Sequence, residues 1–492
     1  MLERELKLEA PPRFKLPDLD GVHPAVASTK PGQERLNTTY FDTRDYRLTR
    51  WGCSLRYRAG QAWTVKLPTE ASDALLVRGE HPFEGDAEQP PRGAIELLSA
   101  YLRDTPVHKV AQLRALRTFA DLIDSRGEKL AQVSLDAVSV IDEGRAVSRF
   151  REVEIELTDA APEDLLDAVV VRLQAAGAGS PDPTPKVARA LGSRALRPPE
   201  IVAEELAPDA SAGEVVRRAL ADGVIRLLRH DAGVRLRADP EEVHQARVAV
   251  RRLRSALRTF LPIMDIDWAS ALRQDLDQLA DDFGAVRDAD VRKERLRART
   301  QTLHPPDRAA ARRIQAVAQA QRDDAMRHVS ETISSRGYVE LLKRLVDAAR
   351  MPSLAPIAAE PAIMALPPLV ASLWRNARNR VEQFGDRPSD RQLHKLRIRA
   401  KRCRYAAEAL APVIGKRARA FSKAAAALQE VLGQHHDAVV TQDWLKRNVP
   451  AGKLSFAAGQ LCALELTAQA EAYSRWREAW RAFDRKKLRA WL

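Results

Sequence analysis

Cysteine is scarce: the 492 residues hold three, Cys53, Cys403 and Cys462, far apart along the chain. Isolated thiols fit a reducing compartment and do not make a zinc site. Aromatic residues amount to 5%, too few for a platform that stacks nucleobases. No apolar run reaches the roughly 18 residues of a membrane span, which excludes a spanning helix. The opening MLERELKLEA lacks the apolar core of a secretion signal, so the expected location is the cytoplasm. Helix-turn-helix, zinc-finger and RNP patterns are also missing, which argues against a specific nucleic-acid reader. What is present, 45% hydrophobic and 30% charged residues, fits neither a disordered nor a membrane chain, and the length predicts two or three domains.

Charge is unevenly placed. Residues 1–200 carry 28 Lys/Arg against 31 Asp/Glu, leaving 52 against 36 for the remainder of a chain whose net charge is +13. A basic C-terminal part beside a nearly neutral N-terminal one predicts a polyanionic partner for the former.

Periodicity divides the chain at the same place. Segments around Leu2–Leu8, Leu55–Arg58, Thr64–Leu67, Val133–Val140 and Glu152–Leu157 alternate with period two between Pro and Gly clusters, as strands do. From about Ser211 the pattern is helical, with long Ala/Leu/Arg-rich stretches. The reading is an α+β or all-β domain over 1–198, a Pro-containing linker over 199–212, and an all-α domain over 213–490.

The helical part repeats itself. VHQARVAVRRLR, with His244, Arg247, Arg251, Arg252 and Arg254, is answered 150 residues later by LHKLRIRAKRCR, with His394, Arg397, Lys401, Arg402 and Arg404. Each copy follows a helix-start signal, Asp239-Pro240-Glu241-Glu242 in one and Ser389 with Gln392 in the other. Farther along, FGAVRDADV (Phe283–Val291) is echoed by LGQHHDAVV (Leu432–Val440). Matched landmarks at constant spacing predict a tandem duplication, with halves near 213–350 and 362–490, each a small helical bundle. Gly284/Gly433 and Asp288/Asp437 are expected to shape turns between helices.

In the N-terminal part acids and bases share strand faces: Glu3, Glu5 and Lys7; Arg56 and Arg58; Lys66; Arg78 and Glu80; Glu152, Glu154 and Glu156. One such strand alone reads as a half-buried sheet with its polar face in water. Together, with apolar opposite faces, they read as a barrel that is charged within and greasy outside. Such a lumen needs a charged ligand, because unpaired buried charge costs several kcal/mol per ion. A polyphosphate suits Arg and Lys, and a divalent cation suits clustered carboxylates.

These motifs, the ExExK opening, YFDT at Tyr40–Thr43, the run Leu48, Gly52, Leu55, Arg56, Arg58, then TVK at Lys66, R-x-E at Arg78–Glu80, LRTF at Arg117, ExExE at Glu152–Glu156 and TPK at Lys186, resemble the CYTH domain, the triphosphate tunnel fold. The resemblance implies an eight-stranded antiparallel tunnel. It also implies Mg²⁺ or Mn²⁺ on Glu3, Glu5, Glu154 and Glu156, with Glu152 as a further ligand. Phosphates would lie on Lys7, Arg56, Arg58, Lys66, Arg78, Arg117 and Lys186; Glu5 and Lys7 would be the catalytic pair, Lys7 orienting the attacking water. Glu80 would position a neighbouring arginine.

On a helix at 100° per residue His244, Arg247, Arg251 and Arg254 fall within an arc of about 80°, and His394, Arg397, Lys401 and Arg404 match them. A single basic face is usually just solvated; its duplication points to an anion-binding surface shared by two halves. His435-His436-Asp437 could be metal ligands, but Arg287 stands where the second copy has His436, and a basic contact suits both. Residues 206–490 resemble the CHAD domain, associated with polyphosphate binding. CYTH followed by CHAD implies an inorganic triphosphatase acting on tripolyphosphate, its helical domain holding long-chain polyphosphate or docking on polyphosphate granules. No membrane partner and no specific nucleic acid are expected. The alternatives are a polyphosphate-binding scaffold without turnover, or another CYTH activity, thiamine triphosphatase or adenylate cyclase.

Overall fold

The computed structural model describes residues 2–68, 76–237 and 239–492, and of Leu2, Glu3, Leu76, Val77 and Arg78 the backbone alone. The side chains of Glu3 and Arg78, both expected in the site, therefore lie outside the described residues. The chain forms two compact units, Met1–Glu200 and Ile201–Leu492.

The first unit is built on eight strands: β1 (Leu2–Glu9), β2 (Ser28–Asp42), β3 (Ser54–Arg58), β4 (Trp63–Pro68), β5 (Leu76–Phe83), β6 (His108–Ile123), β7 (Lys129–Asp142) and β8 (Arg145–Leu157). They close in the order β1-β5-β4-β3-β2-β6-β7-β8, with β8 pairing back on β1, every pair antiparallel. Among the described residues closure leaves no unpaired strand edge. The turn between β7 and β8 shows how the sequence builds it. Glu143 and Gly144 take φ of 44° and 80°, the two left-handed residues that a two-residue hairpin requires to match strand twist.

Period-two alternation then sorts the side chains. Leu6 and Leu8 of β1, Val133 and Leu135 of β7, and Val153, Ile155 and Leu157 of β8 point outward into one core. Of the small helices α1 (Arg47–Arg50), α2 (Arg92–Leu97), α3 (Ser99–Leu102), α4 (Leu165–Ala175) and α5 (Lys186–Leu191), α4 covers that core. It does so with Leu165, Val169 and Leu173, spaced i, i+4, i+8 and fully buried, each such leucine contributing about 1.5–3 kcal/mol. Inward, one end of the barrel is apolar, with Leu113, Val138, Val140 and Val187 of α5 packed together. The other end holds the charges. Asp42 of the YFDT motif serves the fold: fully buried, it accepts from the N–H groups of Thr43, Leu48 and Thr49 and the Thr49 hydroxyl at 2.7–2.9 Å.

The second unit is helical: α6 (Ala212–Leu236), α7 (Pro240–Thr259), α8 (Ile266–Thr302), α9 (Pro305–Ser334), α10 (Arg336–Arg350), α11 (Ala362–Ala365), α12 (Pro367–Glu382), α13 (Asp390–Ile414), α14 (Lys416–Asn448) and α15 (Ser455–Phe483). The predicted starts are present: Asp239 caps α7 by accepting from Glu241 N–H, and Ser389 with Gln392 forms a capping box on α13. The repeat is α6–α9 against α12–α15, with α10 added to the first half. The α8–α9 and α14–α15 hairpins share a core of Leu296, Ile314, Trp444 and Leu461. The second half of the expected linker belongs to this unit, since Ala212 N–H donates to Glu360 C=O and Ala362 N–H to Ala210 C=O.

One expectation fails. Gly284 and Asp288 lie inside α8, and Gly433 and Asp437 inside α14; no turn exists there. Both helices run through the repeat motif because neither motif carries a proline or a second breaker, and one glycine costs only about 1 kcal/mol.

Candidate functional site

In the barrel the inward faces of β1, β6, β7 and β8 bring Glu5, Lys7, Arg117, Asp136, Glu152 and Glu154 together, all buried. Register explains it: Lys7 pairs with Glu154, Glu5 with Glu156, and Arg117 with Asp136. Lys7 Nζ lies 2.6 Å from Glu154 and 3.8 Å from Glu5. Arg117 grips Asp136 through two bonds of 2.8 Å and donates to Glu154 at 2.6 Å. Lys186, at the start of α5, reaches in to Asp136 at 2.5 Å and Glu154 at 2.7 Å. On the facing wall Arg56, Arg58 and Lys66 of β3 and β4 stand with Glu80, which lies 3.0 Å from Arg56 and 2.6 Å from Lys66. Both walls line one cavity of about 150 Å³. Carboxylate oxygens of Glu5, Glu154 and Glu156 come within 4.8 Å of one another, and Glu154 and Glu156 line the cavity.

In the helical unit the two stripes meet where α7 packs on α13. Arg251, Arg252 and Arg404 ring the buried Tyr405 at 5.3–5.7 Å from its centroid, and the His394 and His436 rings stack at 4.1 Å. The Arg397 guanidinium lies over Gly433 of α14, 3.5 Å from where a Cβ would be, an ordinary contact that does not itself require glycine. Asp288 pairs with Arg247 at 3.1 Å.

A CYTH domain model matches residues 1–185 and a CHAD domain model residues 218–446. Over 490 residues the chain is 30% identical to the protein Rv2226 of Mycobacterium tuberculosis, spanning 94% of this chain and 92% of that one. The chain belongs to the CYTH–CHAD family. Two solved structures align with part of it. PptA from Streptomyces chartreusis is 21% identical with a TM-score of 0.45, over 55% of this chain and 100% of that one. The CHAD domain from the plant Ricinus communis is 28% identical with a TM-score of 0.42, over 59% and 94%.

The electrostatics of the two domains differ in kind. In the CYTH tunnel burial alone would push the Lys7 and Lys186 ammonium groups down, but the carboxylates around Glu154 more than reverse that and raise both above ordinary lysine. Burial would likewise raise Glu154 and Asp136; instead Lys186, Lys7 and Arg117 hold Glu154 low, and Lys186 and Arg117 hold Asp136 low. Each charge keeps its partner charged. In the CHAD groove burial and like charge act together. Lys401 falls to about 7, through burial and then Arg251, Arg397 and Arg247. His436 falls to about 4, through burial and then His394 and Arg397.

Several expected residues sit otherwise than their motif implied. Glu152 is outside the three-carboxylate cluster; fully buried, it faces Lys186 at 3.3 Å, Lys7 at 3.7 Å and Arg189 at 3.8 Å. Arg254 and Arg404 have acids of their own, Asp277 and Glu408, each at 2.6 Å, which leaves less of their charge to a ligand. His435 turns away from His436, toward Asp390 at 3.2 Å, so the pair does not converge on a metal.

Asp136 and Arg189 went unread in the sequence. Asp136 is the one acid in VSLDAVSV, on the inward phase of an apolar strand, and that isolation was its only signal. Arg189 follows Lys186 at i+3, the spacing that puts both on one helix face. Tyr40, also in the tunnel wall, sat inside a motif but carries no charge to draw notice.

Proposed function

We propose that the chain is a metal-dependent inorganic triphosphatase, hydrolysing tripolyphosphate in the CYTH tunnel, with a CHAD domain that binds long-chain polyphosphate. The observation that carries this reading is one lumen in which Glu5, Glu154 and Glu156 bring carboxylate oxygens within 4.8 Å of one another, while Arg56, Arg58 and Lys66 stand across the cavity that Glu154 and Glu156 line. The carboxylate oxygens suit a hard cation such as Mg²⁺ or Mn²⁺. When bound there, the ion supplies charge neutralisation and a more acidic water. Arg56 and Arg58 offer planar forks for phosphate oxygens and Lys66 a point charge. Lys7, kept protonated by Glu154, donates and orients; it does not act as a base. Glu80 holds Arg56 and Lys66 in place.

The cavity is smaller than the roughly 300–1,000 Å³ of sites that enclose drug-sized ligands, and its apolar lining is limited to Tyr40, Pro185 and Val187. This favours an inorganic chain over a nucleoside or thiamine triphosphate. The test is a panel of tripolyphosphate, ATP, thiamine triphosphate and long-chain polyphosphate, assayed for phosphate and cyclic AMP. Fastest phosphate release from tripolyphosphate supports the reading. Cyclic AMP formation, preference for thiamine triphosphate, or binding without turnover overturns it in favour of the corresponding alternative.

A further inference from the structure

We propose that the CHAD groove takes up protons together with its polyanion, so that binding and protonation are one coupled equilibrium. The inference rests on the groove being the polyphosphate site and adds how that site is regulated.

The geometry brings cations together without acids enough to answer them. Around Lys401, α13 contributes Arg397, Arg402 and His394, and α7 contributes Arg247 and Arg251. Two carboxylates of the flanking helices answer part of this charge, Asp288 of α8 pairing with Arg247 and Asp437 of α14 facing Arg397 and Arg295; among the described residues none forms an ion pair with Lys401 or Arg251. Arg287 of α8 adds positive charge beside His244. His244 and His394 each bury an Nδ1 that has no hydrogen-bond partner, as does the Nε of Arg397 and of Arg251. Two imidazoles stacked at 4.1 Å also resist carrying charge at the same time. These are polar groups held out of water with no protein partner, a costly arrangement that an entering chain of phosphate oxygens would relieve.

The sign follows from linkage. A neighbouring anion favours the charged form of a lysine or histidine, so binding raises whatever the free groove has lowered. Lys401 in the free protein titrates at about 7, against about 10.4 for an unperturbed lysine. Between those values the bound form holds a proton that the free form has lost, and affinity falls as pH rises. The histidines work in a lower window, between about 4 for His436 and about 6.5 for an ordinary imidazole.

The experiment is calorimetry of the full chain with long-chain polyphosphate, in EDTA to suppress tunnel turnover, in two buffers of different ionisation heat at pH 8 and again at pH 5.5. The proposal predicts proton uptake in both windows and an affinity that weakens by up to about tenfold per pH unit between pH 7.5 and 9. Lys401→Arg, which stays charged, should flatten that alkaline slope to within about twofold. Binding with the same heat in both buffers and a flat pH profile overturns the coupling while leaving the polyphosphate reading intact. No binding at any pH overturns both. The proton count in the parent protein needs no variant, so a misfolded Lys401→Arg would not obscure the answer.

Discussion

The tunnel and the groove are both dense in cations, and they solve the cost of that density in opposite ways. In the tunnel every described cation named above except Arg58 lies within 4.0 Å of a carboxylate. In the groove Arg251 and Lys401 have no carboxylate partner among the described residues, while Asp288 answers Arg247 and Asp437 faces Arg397. A neutralised lumen is arranged before its ligand arrives, and it suits a ligand that carries its own cation, a metal–phosphate complex. A groove neutralised only in part is under electrostatic strain until a bare polyanion enters. The comparison predicts that the metal matters to one domain and not to the other.

The strongest way to break the comparison is to remove the acidic side of the tunnel. Glu5→Gln with Glu156→Gln should cut metal-dependent phosphate release by at least about 10²-fold, with polyphosphate binding unchanged. Turnover at the parent rate would show that these carboxylates hold no metal. Nearly as large is the converse change. Reversing Arg247, Arg251, Arg397 and Lys401 to Glu should weaken polyphosphate binding by at least about 10²-fold at 0.1 M salt, measured by calorimetry, while tripolyphosphate hydrolysis stays within about twofold.

A smaller effect sharpens the role of the basic wall. Arg58→Lys keeps the charge and loses the fork, so kcat/KM for tripolyphosphate should drop by about tenfold or more; an unchanged value would reduce Arg58 to background field. The smallest effect concerns stability. Because Lys401 is lowered in the folded state, the unfolded chain binds more protons between pH 7 and 10, and stability should rise with pH across that window. Lys401→Met should remove the penalty and raise Tm by about 2–4 °C at pH 7, read by calorimetry.

How far the molecule was legible in its sequence differs between the two domains for physical reasons. The strand faces of β1, β3 and β8 were readable because charge alternates with Leu, Val and Ile at period two. β2 and β6 were not: their inward positions mix Tyr40, Leu113 and Arg117, so no single phase is polar. The stripes of α7 and α13 were readable from spacing alone, and the equivalence of Arg287 and His436 followed from alignment of the repeats. What spacing could not supply was which cations find acids. Arg254 is answered by Asp277, a residue 23 positions on in another helix, and Glu154 gathers Lys7, Arg117 and Lys186 from three different elements. The expected turns at Gly284 and Gly433 failed because one glycine costs a long helix only about 1 kcal/mol and neither motif adds a proline.

The central claim is that tunnel and groove differ in their need for metal, and one paired titration tests it. With the full chain, phosphate release from tripolyphosphate and binding of long-chain polyphosphate are measured side by side as Mg²⁺ is replaced by EDTA. The account predicts that hydrolysis falls to background while polyphosphate affinity stays within about twofold. Hydrolysis that survives EDTA, or polyphosphate binding that disappears with the metal, would contradict it.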